Sequence, residues 1–159
     1  MADIQQEQNN MLSYEGVISG QENKIYFAGY SEPIIKKIDS DGNIVFSKST
    51  IDNYDTSANY AKTQSGDLSN NLLSYTPGAL FSSLDLDVCD EHLFIIPHYN
   101  DDESFKYLDL YSSIDGKYLE TYTTDHFLTS LTVDSANVYA ITVGDGTKFI
   151  SKFDNPSES

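Results

Sequence analysis

From Leu12 onward, short apolar runs alternate with clusters of Gly, Pro, Asn, Asp and Ser. Runs of this length, rich in Tyr and β-branched residues and bounded by turn formers, predict strands. The first is Leu12–Ser19, ended by Gly20. Lys24–Gly29 and Ile34–Ile38 follow, with Pro33 between them. Asp39-Ser40-Asp41-Gly42 predicts a tight hairpin, because glycine supplies the positive φ such a turn requires, and Asn43–Ser47 is the returning strand. A second set begins at Ser83–Cys89, where Leu84, Leu86 and Val88 alternate with Asp85 and Asp87. His92–Ile96 is densely apolar, and Phe105–Tyr111 and Lys117–Tyr122 flank the Asp115-Gly116 turn. A third set holds Leu128, Leu131 and Val133, then Val138–Val143, then Lys148–Phe153 beyond Asp145-Gly146. No fourth strand is predicted for this set.

The three sets share one grammar. Lys24-Ile25-Tyr26-Phe27, His92-Leu93-Phe94-Ile95 and Asn137-Val138-Tyr139-Ala140 each place an aliphatic residue before an aromatic one, just after a polar turn. Leu93 and Val138 are 45 positions apart, close to the roughly 40–50 residues of a four-stranded propeller blade. Ile25 and Leu93 are 68 apart, one such unit plus an insertion at about 50–79. That insertion is rich in Asn, Ser, Thr and Asp and reads as a long loop with a short helical turn near Leu68–Leu73. Leu84-Asp85-Leu86-Asp87 and Leu131-Thr132-Val133-Asp134 align as first strands. Residues 1–11 read as a flexible arm, 12–153 as one domain, and 154–159 as a flexible tail.

The phrase Ile38-Asp39-Ser40-Asp41-Gly42-Asn43-Ile44, and more loosely Tyr111-Ser112-Ser113-Ile114-Asp115-Gly116-Lys117, resembles the hairpin between the third and fourth strands of six-bladed NHL-like or YVTN-like β-propellers, a group that includes exported bacterial proteins. Thr76-Pro77-Gly78 resembles a connection between blades. The resemblance spans roughly residues 12–153 and implies an all-β fold of β-propeller-like, four-stranded antiparallel blades. About three units are too few to close a ring of four to eight, and Trp is absent. The expectation is therefore a partial ring, or a ring completed by oligomerisation, since open sheet edges are normally covered.

Charge narrows the partners. The 159 residues carry 25 acidic against 9 basic side chains, a formal net charge of −16. Nucleic acid and anionic membrane surfaces are disfavoured, because both require cationic neutralisation. No apolar run reaches the length of a membrane span. Protein, peptide or carbohydrate partners and a homo-oligomer remain. Cys89, the sole cysteine, reads as a buried structural thiol and permits no intrachain disulfide. Export, with a leader removed, and a cytoplasmic location are both compatible with these features.

Candidate chemistry is sparse. Asp39, Asp41 and Asn43 have the alternate spacing of an opening calcium loop, but Thr50 stands where the bidentate Glu belongs; a hairpin explains them at less cost. Asp85 and Asp87 share a strand face and are candidates for a divalent cation, for paired carboxylates, or for a wet strand surface. His98, Tyr99, Asn100, Asp101 and Asp102 form a polar loop suited to binding. No phosphate loop, zinc set or nucleophile elbow occurs. The reading is a non-enzymatic binding or interaction module without a required cofactor. A hydrolase using acidic residues, with or without a divalent cation such as calcium, and a purely structural or assembly domain are the alternatives.

Overall fold

A computed structural model of the chain describes residues 15–30, 32–51, 60–64, 71–75, 82–98 and 106–155, the two short segments 60–64 and 71–75 by backbone pairing alone. The described residues are all-β. A four-stranded antiparallel sheet comprises β1 (Gly16–Gln21), β2 (Lys24–Gly29), β3 (Ile34–Ile38) and β4 (Ile44–Ser49), in that order. A two-stranded hairpin of β5 (Tyr60–Gln64) and β6 (Asn71–Tyr75) follows. The second four-stranded sheet is β7 (Ser83–Cys89), β8 (His92–Pro97), β9 (Tyr107–Ser112) and β10 (Tyr118–Thr123). The third has three strands, β11 (Phe127–Val133), β12 (Asn137–Gly144) and β13 (Thr147–Asp154). The sheets do not close into a barrel. They are three blade-like units, with β7 packed between β1 and β11.

Two expectations are corrected. Asn71–Leu73 is strand in β6, so over those residues the helical turn expected near Leu68–Leu73 is replaced by pairing with β5, while residues 68–70 lie outside the described residues; Tyr60, Thr63 and Tyr75 are strand formers that an overall polar composition obscured. The alignment of first strands also shifts by two residues. Leu86 lies opposite Ile95 and Leu131 opposite Ala140, so Leu86-Asp87-Val88 is the counterpart of Leu131-Thr132-Val133. In the first sheet Ser19 lies opposite Tyr26, which makes Ser19, Asp87 and Thr132 equivalent. At the far end β13 runs to Asp154, and buried Asn155 donates its side-chain amide to the Asp134 carbonyl at 3.0 Å. The expected N-terminal arm 1–11 and residues 156–159 lie outside the described residues.

Two apolar layers hold the sheets together. Tyr26, Ala28, Ile35 and Phe46 of the first sheet meet Leu86, Val88, Leu93, Ile95 and Tyr111 of the second. Phe94, Ile96, Leu108 and Leu110, on the opposite face of that second sheet, meet Leu128, Leu131, Val138 and Ala140 of the third. Alternation along a strand sends successive side chains to opposite faces. The run Leu93-Phe94-Ile95-Ile96 can therefore be wholly apolar only because both faces of its sheet are covered. At Gly116, φ is +71° and a Cβ would fall 2.7 Å from the Phe46 ring, so that turn needs glycine both for its backbone and for the approach of the first sheet.

Candidate functional site

The acidic residues singled out on β7 are hydrogen-bond bridges between sheets. One carboxylate oxygen of Asp87 accepts from the Ser19 hydroxyl at 2.6 Å and the Val88 amide at 2.9 Å. The other accepts from the Thr132 hydroxyl and the Val133 amide, both at 2.9 Å. Asp85 accepts from the Leu86 amide at 2.9 Å, the Ser130 hydroxyl at 2.6 Å and the Leu131 amide at 2.8 Å. Charge-assisted bonds of this kind are about twice as strong as neutral ones. Asp87 ties the first strands of all three sheets and Asp85 ties those of the second and third, and a cation would compete with N–H and O–H donors for the same oxygens.

Asp39, where the spacing is calcium-like, is hydrogen-bonded within its own turn. Its carboxylate accepts from the Asp41 amide at 2.9 Å, the Asn43 amide at 2.8 Å and the Asn43 side chain at 3.1 Å. Those donors hold its pKa below the ordinary value, led by the Asn43 backbone. Asp115 and Asp134, in two other strand–strand turns, are lowered for the same reason, Asp115 first by the Ser112 hydroxyl and Asp134 first by the Ala136 amide. His98 follows β8, and its amide donates to the Ser82 carbonyl at 3.3 Å. Tyr99, Asn100, Asp101 and Asp102 lie outside the described residues. Among the described residues no group of three His, Cys, Asp or Glu side chains is arranged to hold a metal ion. Cys89 is half-buried, and burial first, then neighbouring Asp90, raises its thiol pKa, which disfavours the nucleophilic thiolate. Among the described residues no helix is long and apolar enough to cross a membrane.

A cleft that sequence reading missed lies between the second and third sheets. Its floor is Leu108, Leu128, Leu131, Val138 and Ala140, and its rim includes Tyr122, Phe153 and Asp154. Its volume is about 180 Å³, below the roughly 300–1,000 Å³ of small-molecule pockets and suited to one or two apolar side chains. Tyr122 at its rim has a phenol pKa pushed up to about 12, by desolvation first and then by Glu120. β13 is the last strand of its sheet and stands at the cleft with one edge not paired to another described strand. The only hint in the sequence was the strand count of the third unit, because each lining residue by itself reads as an ordinary strand interior.

No family model and no curated protein sequence matches the chain. Several solved structures are similar to it. Hydrazine synthase of Kuenenia stuttgartiensis is 7% identical, with 90% of this chain and 46% of that one covered and a TM-score of 0.42. The computationally designed Ika8 protein is 12% identical over 85% of this chain and 44% of its own, TM-score 0.33. BamB from Moraxella catarrhalis is 17% identical over 80% and 40%, TM-score 0.34. The chain spans less than half the length of each.

Proposed function

We propose that the chain is a non-enzymatic protein-interaction module that takes an extended peptide segment along the edge of β13. The blade-like scaffold is compatible with a binding role. The carrying observation is the coincidence of a strand edge with the small apolar cleft between the second and third sheets. Strand addition draws affinity from main-chain hydrogen bonds and specificity from pockets for alternate side chains. The segment that fits pairs with β13 and sends an apolar residue into the cleft. The chain's charge of −16 favours segments with flanking Lys or Arg.

The test is a library of nine-residue peptides with alternating apolar and basic positions, read by fluorescence anisotropy. Binding of a subset is expected. Replacing Ala140, buried at the cleft floor, with Leu fills the cleft and should weaken that binding at least tenfold while the circular dichroism spectrum persists. Failure of every peptide to bind, or equal binding by Ala140→Leu, rejects the reading.

A further inference from the structure

The register of the three sheets defines two faces for each. The face turned toward the preceding sheet carries Leu86, Leu93, Ile95 and Tyr111 in the second unit, and Leu131, Val138, Ala140 and Phe153 in the third. The corresponding residues of the first sheet are Ile18, Ile25, Phe27 and Ile38, with Ile44 beside Ile38. Ile18, Ile25 and Ile44 are 71%, 48% and 60% exposed. The face turned toward the following sheet carries Tyr26, Ala28 and Ile35 in the first unit and Phe94 and Ile96 in the second, all buried. In the third unit those positions are Tyr139, Ile141 and Ile150; Ile141 and Ile150 are 40% and 84% exposed. The chain therefore presents both halves of its own inter-sheet interface, one at each end.

A polar element repeats with them. Lys37 lies opposite Tyr26 in the ladder, holds its ammonium 5.4 Å from the Tyr26 ring centre, and donates to the Ser113 carbonyl of the next sheet at 2.7 Å. Lys152 lies opposite Tyr139 in the same way, with its ammonium 5.9 Å from that ring centre. Ser113 is two residues beyond Tyr111, the partner of Leu93; two beyond Ile38, the partner of Ile25, is Ser40.

We infer that a second copy of this chain docks head to tail, its first sheet covering Tyr139, Ile141 and Ile150 of the third sheet, with Lys152 donating to its Ser40 carbonyl. The occupant follows from continuity: the same pair of faces, with the same lysine over the same tyrosine, is already buried once inside the chain. β1 packs on β7 and β7 on β11, so the first sheet is occupied with the second and a second molecule supplies the matching face. Such a contact is heterologous and closes into a ring or continues as a filament. The charge of −16 on each copy opposes it, so association strengthens as salt screens the repulsion.

The experiment is light scattering of the full chain over a range of protein and salt concentrations, with two variants, Ile25→Asp and Ile141→Asp. Wild type should reach at least twice 17.8 kDa. Each variant alone should associate at least ~30-fold more weakly, the scale of a lost hot spot. Mixing the two variants should restore one contact, because one brings an intact first sheet and the other an intact third. Lys152→Met keeps the apolar area and should weaken association severalfold with unchanged monomer stability. Single-chain mass for wild type under all conditions overturns the inference. Loss on Ile25→Asp but not on Ile141→Asp does so too, since it indicates a symmetric contact between first sheets. A normal Lys152→Met variant removes the assigned hydrogen bond. Peptide binding at β13 is read separately and involves none of these side chains.

Discussion

The second and third sheets are built from similar strands, yet they differ in what covers them. On β8 the four residues Leu93–Ile96 are all buried, half against the first sheet and half against the third. On β12, Val138 and Ala140 are buried, whereas Tyr139 and Ile141 face away from the second sheet and Ile141 is exposed. The acidic bridges follow the same division. Asp87 is satisfied from both sides, by Ser19 and by Thr132 with Val133, while the equivalent Thr132 bonds back to Asp87. A blade thus acquires its core from its neighbours and not from its own sequence, because a single sheet has no interior.

The sharpest way to break this contrast is truncation. Phe94→Ala should cost about 3–5 kcal/mol, the range for a large ring removed from a closed core. Ile141→Ala should cost under about 1 kcal/mol in dilute solution, as for a surface change. Urea unfolding of both variants at low protein concentration measures the difference, and near-equal losses would mean that the third sheet is covered in the monomer.

A smaller effect is expected at the bridges. Asp87→Ala leaves the Val133 amide without its carboxylate and removes links to two sheets at once, a loss of about 2–3 kcal/mol. Thr132→Ala removes one hydroxyl and should cost about 1 kcal/mol or less. If the two variants unfold at the same urea concentration, Asp87 does not act as a two-sided bridge.

The smallest effect separates turns from sheet interfaces through pH. Asp39, Asp115 and Asp134 have pKa values lowered in the folded state by turn donors. A lowered carboxylate contributes stability above its unfolded value, near about 3.9, and loses it as pH falls through the folded value. Acid titration followed by fluorescence should therefore show stability declining below about pH 4. Asp39→Asn should flatten part of that decline while leaving the packing between sheets intact.

Much of the local structure was legible in the sequence, for identifiable reasons. Lys24–Gly29 and Ile34–Ile38 are strands with the bounds read from composition, since turn residues delimit them on both sides. Gly42, Gly116 and Gly146 adopt positive φ, as hairpins joining twisted strands require. The β5–β6 hairpin was obscured because its strands sit in a stretch rich in Asn, Ser, Thr and Asp, and the two-residue slip at Leu84–Asp87 arose because the period of two in a strand leaves its register open by even steps.

The candidate sites divide along the same line. Composition and motif content alone established an acidic, all-β, repeating chain with no recognisable catalytic motif. That Asp85 and Asp87 join sheets, that Lys37 reaches a carbonyl 76 residues away, and that a small apolar cleft lies beside β13 were decided by tertiary structure alone. Periodicity reports which side chains share a face, because that depends on the backbone repeat. It carries no information on which sheet that face will meet, because contacts between sheets depend on the path of the chain between them.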